Sequence, residues 1–469
     1  MNHGAKTIDR STNRRSFLKG AACAAAACGV PAIVPSSVFG ALAPSGRINV
    51  AMIGMGNQST LDLPAFLDQD DVQLVAVCDV NTASHGYRTP DQFLGRKPGQ
   101  DSVNAYYAKK TGANQYKGCD AYNDFREVIG RKDVDAVALV VPDHWHAIMT
   151  VAAAKAGKDI YCEKPLSLTV RDGQAMVKAV REHKRVLQTG SMWRSNPVVR
   201  RVCELVRNGR VGKIQRIITE VSENNFKGPG PGWKPTPVPE GFDYDLWLGP
   251  APLAPYHKDR CFYKFRFIMD YSGGQTTNFG AHSHGVVQWA LGTDNTGPVE
   301  FEDLNSKWPL PGDLFTTPDV VHFRCRYANG IEMECKTTER GFGARFEGTE
   351  GWVEFAGNGI QASSSALKDS VIGPQEIHLP LAVKDRPKDA PARSMSFDHV
   401  RNFLDCIKSR EDPVEFVEAG HRTASICHLG NIAMKLRRKI QWDPEHEQII
   451  GDDEAAKMLG RPLRAPWTL

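Results

Sequence analysis

Residues Val134–Thr169 read VDAVALVVPDHWHAIMTVAAAKAGKDIYCEKPLSLT, and the fold class turns on this stretch. Val134–Val141 is almost wholly apolar, the composition of a parallel strand covered on both faces. Pro142 ends it, because proline cannot donate to a sheet ladder, and Asp143-His144-Trp145-His146 is expected as a polar loop. Ile148–Ala156 is an alanine-rich helix stopped by Gly157. Asp159–Cys162 is a second short strand, which runs into Glu163-Lys164-Pro165. The carboxyl ends of parallel strands are where such sheets bind ligands. A lysine beside a glutamate at that edge is an acid/base candidate. A surface ion pair capping the strand is the alternative reading of the same triplet.

Upstream, Arg47–Ile53 is a short apolar strand leading into Gly54-Met55-Gly56-Asn57-Gln58-Ser59, a Gly-x-Gly-x-x-Gly turn with serine in the third place. The first glycine permits the tight turn, the second lets the backbone approach a pyrophosphate, and the third position needs only a small residue. A helix over Thr60–Leu67 aims its amide end at the phosphates. Val72–Val77 is the next buried strand, and Asp79 follows 25 residues after Gly54. A carboxylate there accepts both ribose hydroxyls and repels a 2′-phosphate, which favours NAD over NADP. Ala83–Gln115 reads as an inserted loop and helix, and Asp124–Gly130 as the helix before the Val134 strand. Repeated strand–helix–strand units make a doubly wound, right-handed parallel sheet.

A chain of 469 residues exceeds one compact core, so two domains are expected. The formal charge of +4 resides entirely in residues 1–43, through Lys6, Arg10, Arg14, Arg15 and Lys19 against Asp9. The remainder is balanced, so no basic field exists to bind nucleic acid. Asn13-Arg14-Arg15-Ser16-Phe17-Leu18-Lys19 followed by an alanine-rich run matches a twin-arginine export signal, with cleavage expected between Gly40 and Ala43. That address implies the twin-arginine translocase as a partner and a periplasmic or other extracytoplasmic destination. Nine cysteines remain beyond the signal, scattered without paired spacing, and read as core residues.

After Pro165 the chain continues with a helix (Val170–Lys184), a strand (Val186–Thr189) and a helix (Pro197–Asn208). Beyond Gly212 the period becomes alternating. Ile214–Ser222, Val320–Tyr327, Ile331–Thr338 and Trp352–Phe355 read as strands, with Asn329-Gly330 as a hairpin turn. Asn225–Phe262 holds eight of the 29 prolines together with Trp233, Tyr244, Trp247 and Tyr256. So stiff a loop is usually functional. Its aromatic faces suit the C–H faces of sugars, and oligomer packing is the alternative. Met395–Ser409 and Glu418–Arg438 are closing helices, and the tail with Trp442 and Trp467 packs across the body.

Gly273-Gly274-Gln275-Thr276-Thr277-Asn278-Phe279-Gly280-Ala281-His282-Ser283-His284 precedes an apolar helix. Together with the glycine turn at Gly54, Pro142-Asp143 with His146, and Glu163-Lys164-Pro165, this segment makes the chain resemble the glucose–fructose oxidoreductase, inositol dehydrogenase and rhizopine-catabolism (Gfo/Idh/MocA) family. Asp245–Pro250 looks like the long exported branch of that family. The resemblance implies an N-terminal Rossmann domain, here 44–166, and a C-terminal α/β domain, 167–469, with a large, mostly antiparallel, open-faced sheet that often mediates oligomer contacts. It implies sugar, polyol or glycoside substrates. It places Lys164 near the nicotinamide and substrate, and the family histidine on His282. The family's usual aspartates four residues before and three after that histidine are Asn278 and Gly285 here. Asparagine holds a hydroxyl but cannot take its proton, so acid/base work falls to Lys164 and His282, with His284 as a substitute.

The resulting expectation is an exported, homo-oligomeric NAD-dependent oxidoreductase acting on a sugar, polyol or glycoside with a tightly retained cofactor. Gly54, Gly56, Asn57, Asp79, Pro142, Asp143, His146, Glu163 and Lys164 are the cofactor-binding set. Lys164 and His282 are the catalytic pair, and Arg194, Asn278, His284, Trp247 and Tyr256 are the substrate contacts. The His144/His146 and His282/His284 pairs lack a spaced third ligand, so no metal is assigned. Glycoside cleavage through transient oxidation of the sugar, and non-catalytic sugar binding, are the alternatives.

Overall fold

Six parallel strands form the first sheet, in the order Asp120–Tyr122, Val72–Cys78, Ile48–Ile53, Ala136–Leu139, Asp159–Cys162, Leu187–Thr189. The structure, a computed structural model, describes residues 46–356, 359–384 and 393–469. The twin-arginine segment and its cleavage region lie outside the described residues. Ile48–Leu469 form one compact unit. The three central strands are buried along nearly their whole length, as expected of strands with helices on both faces. One apolar core lies under the Asp143–Lys155 and Val170–Glu182 helices. The other lies under the Ser59–Leu67 and Met395–Ser409 helices.

Two sequence boundaries are corrected. Asp143–His146 is no loop but the first turn of the Asp143–Lys155 helix, capped by extended Pro142. Asp143 places negative charge at the positive end of the helix dipole, which stabilises that early start. The expected domain boundary at 166 falls inside the parallel sheet, because Leu187–Thr189 pairs with Ile160–Cys162 as its sixth strand.

The second sheet has nine strands. Ile214–Ser222 lies at its centre, parallel to Glu332–Thr338 and antiparallel to Phe342–Gly348. The remaining pairs are antiparallel, so the expected mostly antiparallel sheet is found. Alternate residues of its strands enter a core shared with the Pro197–Arg207, Gly280–Leu291 and Val417–Leu436 helices. The other face is half-exposed and laced with pairs such as Arg324–Glu302 at 2.7 Å and Arg326–Glu300 at 3.1 Å. Arg401 fixes the Met395–Ser409 helix to the Rossmann half through Asp71, at 2.6 and 2.8 Å. Burial opposes the Asp71 charge, but Arg401 and Lys408 outweigh it and hold that carboxyl down at about 2.

Asn196, Thr169 and Asp124 cap the helices they precede, each accepting a backbone N–H.

Candidate active site

The cleft begins at the glycine turn. Gly54 adopts φ +99°, and a Cβ on it would stand 2.2 Å from the Val140 carbonyl oxygen, so only glycine fits between the first and fourth strands. Asp79 ends the second strand. Its carboxylate accepts the backbone N–H groups of Met55 and Asn81, each at 2.7 Å, which locks it beside the turn. Burial raises its pKa and those two amides oppose the rise.

From there the open cleft, about 1140 Å³ with its solvent-filled mouth, runs along Val140–Asp143 to Glu163, Lys164 and Asn278. The Lys164–Pro165 peptide is cis. Lys164 Nζ donates to Asn278 Oδ1 at 2.9 Å and to its carbonyl at 3.2 Å, while Asn278 Nδ2 donates to Gln275 Oε1 at 3.0 Å. Each end of the carboxamide holds one bond, so Asn278 orients the lysine while it also lines the cleft. Burial lowers the pKa of Lys164; Glu163 opposes this and Arg266 adds to it. Burial likewise raises Glu163, against the Lys164 charge. A buried amine with a neutral amide partner is the environment that makes lysine a base near neutrality.

Of the expected cofactor set, Gly54, Gly56, Asn57, Asp79, Pro142, Asp143, Glu163 and Lys164 all line the cleft. His146 does not. It is fully buried, with Nδ1 2.8 Å from the Pro165 carbonyl and Nε2 2.9 Å from that of Val141, so it braces the two strand ends from behind. His282 is also outside the cleft wall, with Nδ1 3.2 Å from Ser191 Oγ. Burial, then the neighbouring Lys164 charge, holds its pKa well below the ordinary histidine value, so it is a neutral ring.

Three of the expected substrate contacts are corrected. Arg194 is fully buried, bonded to Asp294 at 2.6 and 3.0 Å and to the Gly285 carbonyl at 2.9 Å, and paired with Glu415. It joins three elements and offers nothing to the cleft. His284 is sealed in the core with Nδ1 3.3 Å from Cys427 Sγ, and burial depresses it to about 3. Tyr256 packs behind the wall against Phe242 and Tyr244. Trp247 alone of the predicted aromatic contacts reaches the cleft, where its carbonyl also accepts from Trp145 Nε1 at 3.0 Å and is 2.9 Å from His144 Nε2.

Tyr87, Phe242, Phe262, Arg266 and Ser272 line the cleft without having been singled out from sequence. Tyr87 lies between the two short strands Ser84–His85 and Phe93–Leu94 of a ribbon, inside the insertion read as a loop and helix. Its ring would meet a Cβ on Gly56 at 3.2 Å and lies 4.7 Å from the Phe262 ring. Gln92 from the same ribbon donates to Asn57 Oδ1 at 3.0 Å. Asn81 bridges to Phe242, so the proline-rich segment is stitched to the end of the second strand. Aromatic residues inside an insertion were the available signal; which of them would meet was set by chain crossing.

The N-terminal portion, 48–191, matches the model of an oxidoreductase family with an NAD-binding Rossmann fold. Residues 195–353 and 386–469 match the C-terminal α/β domain of the same family. The chain belongs to the Gfo/Idh/MocA oxidoreductase family. Among curated relatives, it is 29% identical over 413 residues to a myo-inositol 2-dehydrogenase of Thermotoga maritima, covering 86% of this chain and all of that one. A levoglucosan dehydrogenase of Pseudarthrobacter phenanthrenivorans is 36% identical over 92 residues, 20% of this chain and 24% of that one. Among solved structures, an aldose–aldose oxidoreductase from Caulobacter crescentus in complex with glycerol superposes with TM-score 0.56 at 20% identity, covering 84% of this chain and 99% of that one. A levoglucosan dehydrogenase in complex with NADH and levoglucosan gives 0.58 at 17% identity, covering 84% and 99%. At those identities the likeness establishes the shared fold. The protein is an NAD-binding oxidoreductase of this family, and the glycine turn and Asp79 line one cleft, as a dinucleotide site requires.

Proposed function

We propose that this Gfo/Idh/MocA protein oxidises a carbinol of a sugar, polyol or glycoside, with Lys164 as the proton acceptor. The observation that carries the reading is that Lys164 Nζ opens into the same cleft as the glycine turn and Asp79. A dinucleotide bound there supplies the hydride acceptor. Gly54 and Gly56 admit its phosphates, and Asp79 receives ribose hydroxyls in place of a 2′-phosphate. Lys164, its pKa lowered by burial and its amine aimed by Asn278, takes the hydroxyl proton of the substrate carbinol in its deprotonated form. Burial keeps His282 neutral next to it, so the ring adds no competing charge and positions the lysine end of the site. The relatives named for inositol, levoglucosan and aldose chemistry support this substrate class.

The cover formed by Tyr87, Phe242 and Phe262 supports a further element, a cofactor held through many turnovers. A closed cover slows dissociation. Resident cofactor also agrees with the twin-arginine pattern at Asn13–Lys19, since that route carries folded proteins to a compartment poor in free NAD. The half-exposed face of the nine-stranded sheet is the surface we assign to self-association. A resident cofactor must be restored within the cycle, so redox-neutral turnover, including glycoside cleavage through transient oxidation, is the form of the reaction favoured here.

Lys164→Ala tests the core of the proposal. It should reduce turnover on a panel of polyols and glycosides at least about 100-fold with dinucleotide affinity nearly unchanged, as for loss of a general base. Full activity in that variant would refute it. Retention is tested by denaturing protein purified without added nucleotide: near-stoichiometric NAD(H) supports it, and an empty protein dependent on added NAD overturns it.

A further inference from the structure

Arg266 is a cleft residue that has no ion-pair partner among the described residues. It lies in the 3-10 turn Lys264–Phe267, in the wall that also holds Lys164, Asp143, Ser272 and Asn278. Its Nε donates to the Tyr263 carbonyl at 2.9 Å, and its guanidinium stacks on the Tyr263 ring with Cζ 3.7 Å from the centroid. Phe265 stands 5.6 Å away. These contacts hold the plane of the group, and the residue lines the cleft. Among the described residues no carboxylate comes within ion-pair distance of it. Asp143 shares the cleft, where Ser272 bonds its carboxyl, and it acts on Arg266 through the field rather than as an ion pair. Arg88, above the same Tyr263 ring with Cζ 5.7 Å from the centroid, adds a second positive charge nearby.

Arg194 shows how this fold treats a buried arginine with a structural role: two carboxylates and a carbonyl surround it. Arg266 has the locked orientation without the counter-charge. Burial pulls its pKa below the ordinary arginine value; Tyr263 and Asp143 oppose this and Arg88 adds to it. A partly desolvated cation without a counter-charge destabilises the empty protein, and a planar guanidinium presents a fork suited to phosphate or carboxylate.

We propose that Arg266 is the receptor for an anionic group, a phosphate or carboxylate, on a molecule bound in this cleft. Two sources carry that chemistry: the diphosphate of the dinucleotide, which rests on the function proposed above, and an acidic substituent of the substrate, which does not. Charge recognition of this kind goes beyond the neutral-polyol chemistry that Lys164 and Asp79 define.

The test compares wild type with R266M and R266K in three measurements: NADH binding by fluorescence, binding of D-glucuronate against D-glucose to the NADH-treated protein, and the thermal midpoint of the empty protein. R266M should lose about tenfold to a hundredfold in affinity for one anionic probe, the range for charge-assisted hydrogen bonds. R266K should fall between. The midpoint of empty R266M should stay level or rise. Weakened NADH with an unchanged glucuronate-to-glucose ratio assigns the diphosphate. Unchanged NADH with a lost preference for glucuronate assigns the acidic substituent. If R266M matches wild type for both NADH and glucuronate, or if its midpoint falls and glucose binding declines in step, the proposal is overturned. Wild-type protein that binds no NADH defeats the dinucleotide reading by itself, and the glucuronate comparison still decides Arg266.

Discussion

Asn278→Asp restores a carboxylate where this chain carries an amide, and its consequences can be worked from the geometry. The two side chains are isosteric, so the new oxygen stands about where Asn278 Oδ1 does, 2.9 Å from Lys164 Nζ. An adjacent opposite charge typically moves a pKa by about 1–3 units, at about 1.4 kcal/mol per unit. The sign is upward, because the carboxylate stabilises the ammonium. A base must be neutral to accept a proton, so the acidic limb of the kcat/KM profile should move up by the same interval. At a fixed pH below both pKa values the rate should fall about 10- to 1000-fold and recover on an alkaline plateau. A second cost arises at Gln275, whose Oε1 now accepts from Asn278 Nδ2 at 3.0 Å while its Nε2 donates to the Glu223 carbonyl at 2.6 Å. Two oxygens would face one another, at a cost of about 1–3 kcal/mol of stability. The assay is kcat/KM from acid to alkaline pH on the dinucleotide-loaded variant, with thermal unfolding run alongside. An acidic limb that stays in place in a folded variant would show that Lys164 is not the ionising base.

Asp79→Ser should weaken NAD binding and relax discrimination against NADP by about 1–3 kcal/mol, measured as the ratio of the two dissociation constants; unchanged affinities for both would remove the carboxylate from the ribose. Gly54→Ala should lower stability by at least about 2 kcal/mol and abolish dinucleotide binding, because its Cβ stands 2.2 Å from the Val140 carbonyl at a φ costly for any L side chain. Denaturant midpoints and NADH fluorescence would check both effects. For Asp71, a folded pKa of about 2 against about 3.9 unfolded contributes about 2.5 kcal/mol, present above the unfolded value and lost as pH falls through the folded one. Asp71→Asn should lower stability at neutral pH and flatten its dependence between pH 4 and pH 2, a flattening that urea unfolding at several pH values would reveal or refute.

Both sheets were legible in the sequence because their signals are local. A strand buried on two faces must be a continuous apolar run, as in Val134–Val141, and a half-open strand must alternate, as in His322–Arg326. The glycine turn, Asp79 and Glu163-Lys164-Pro165 were legible for a similar reason: each sits at a strand end, where the backbone itself aims the side chain at the cleft. Proline at 142 was read as the end of a strand and the start of a loop. Its fixed φ served equally well as a helix N-cap, which only the packed helix distinguishes.

Residue type alone could not sort Arg194 from Arg266. Both are arginines near chemical motifs, yet one is surrounded by Asp294, Glu415 and the Gly285 carbonyl and the other faces the cleft on a tyrosine ring. The same holds for His282 and His284, two residues apart on one helix and therefore pointing in different directions, one toward Ser191 and Lys164 and the other into the core beside Cys427. The sequence by itself determined the glycine turn, the lysine at the strand end and the order of the two sheets, because periodicity, turn chemistry and strand ends are properties of neighbours in the chain. Only the tertiary structure decided which charges are answered and which aromatics cover the cleft. Those depend on partners more than a hundred residues away, such as Asn278 for Lys164 and Phe262 for Tyr87, which meet through packing rather than sequence spacing.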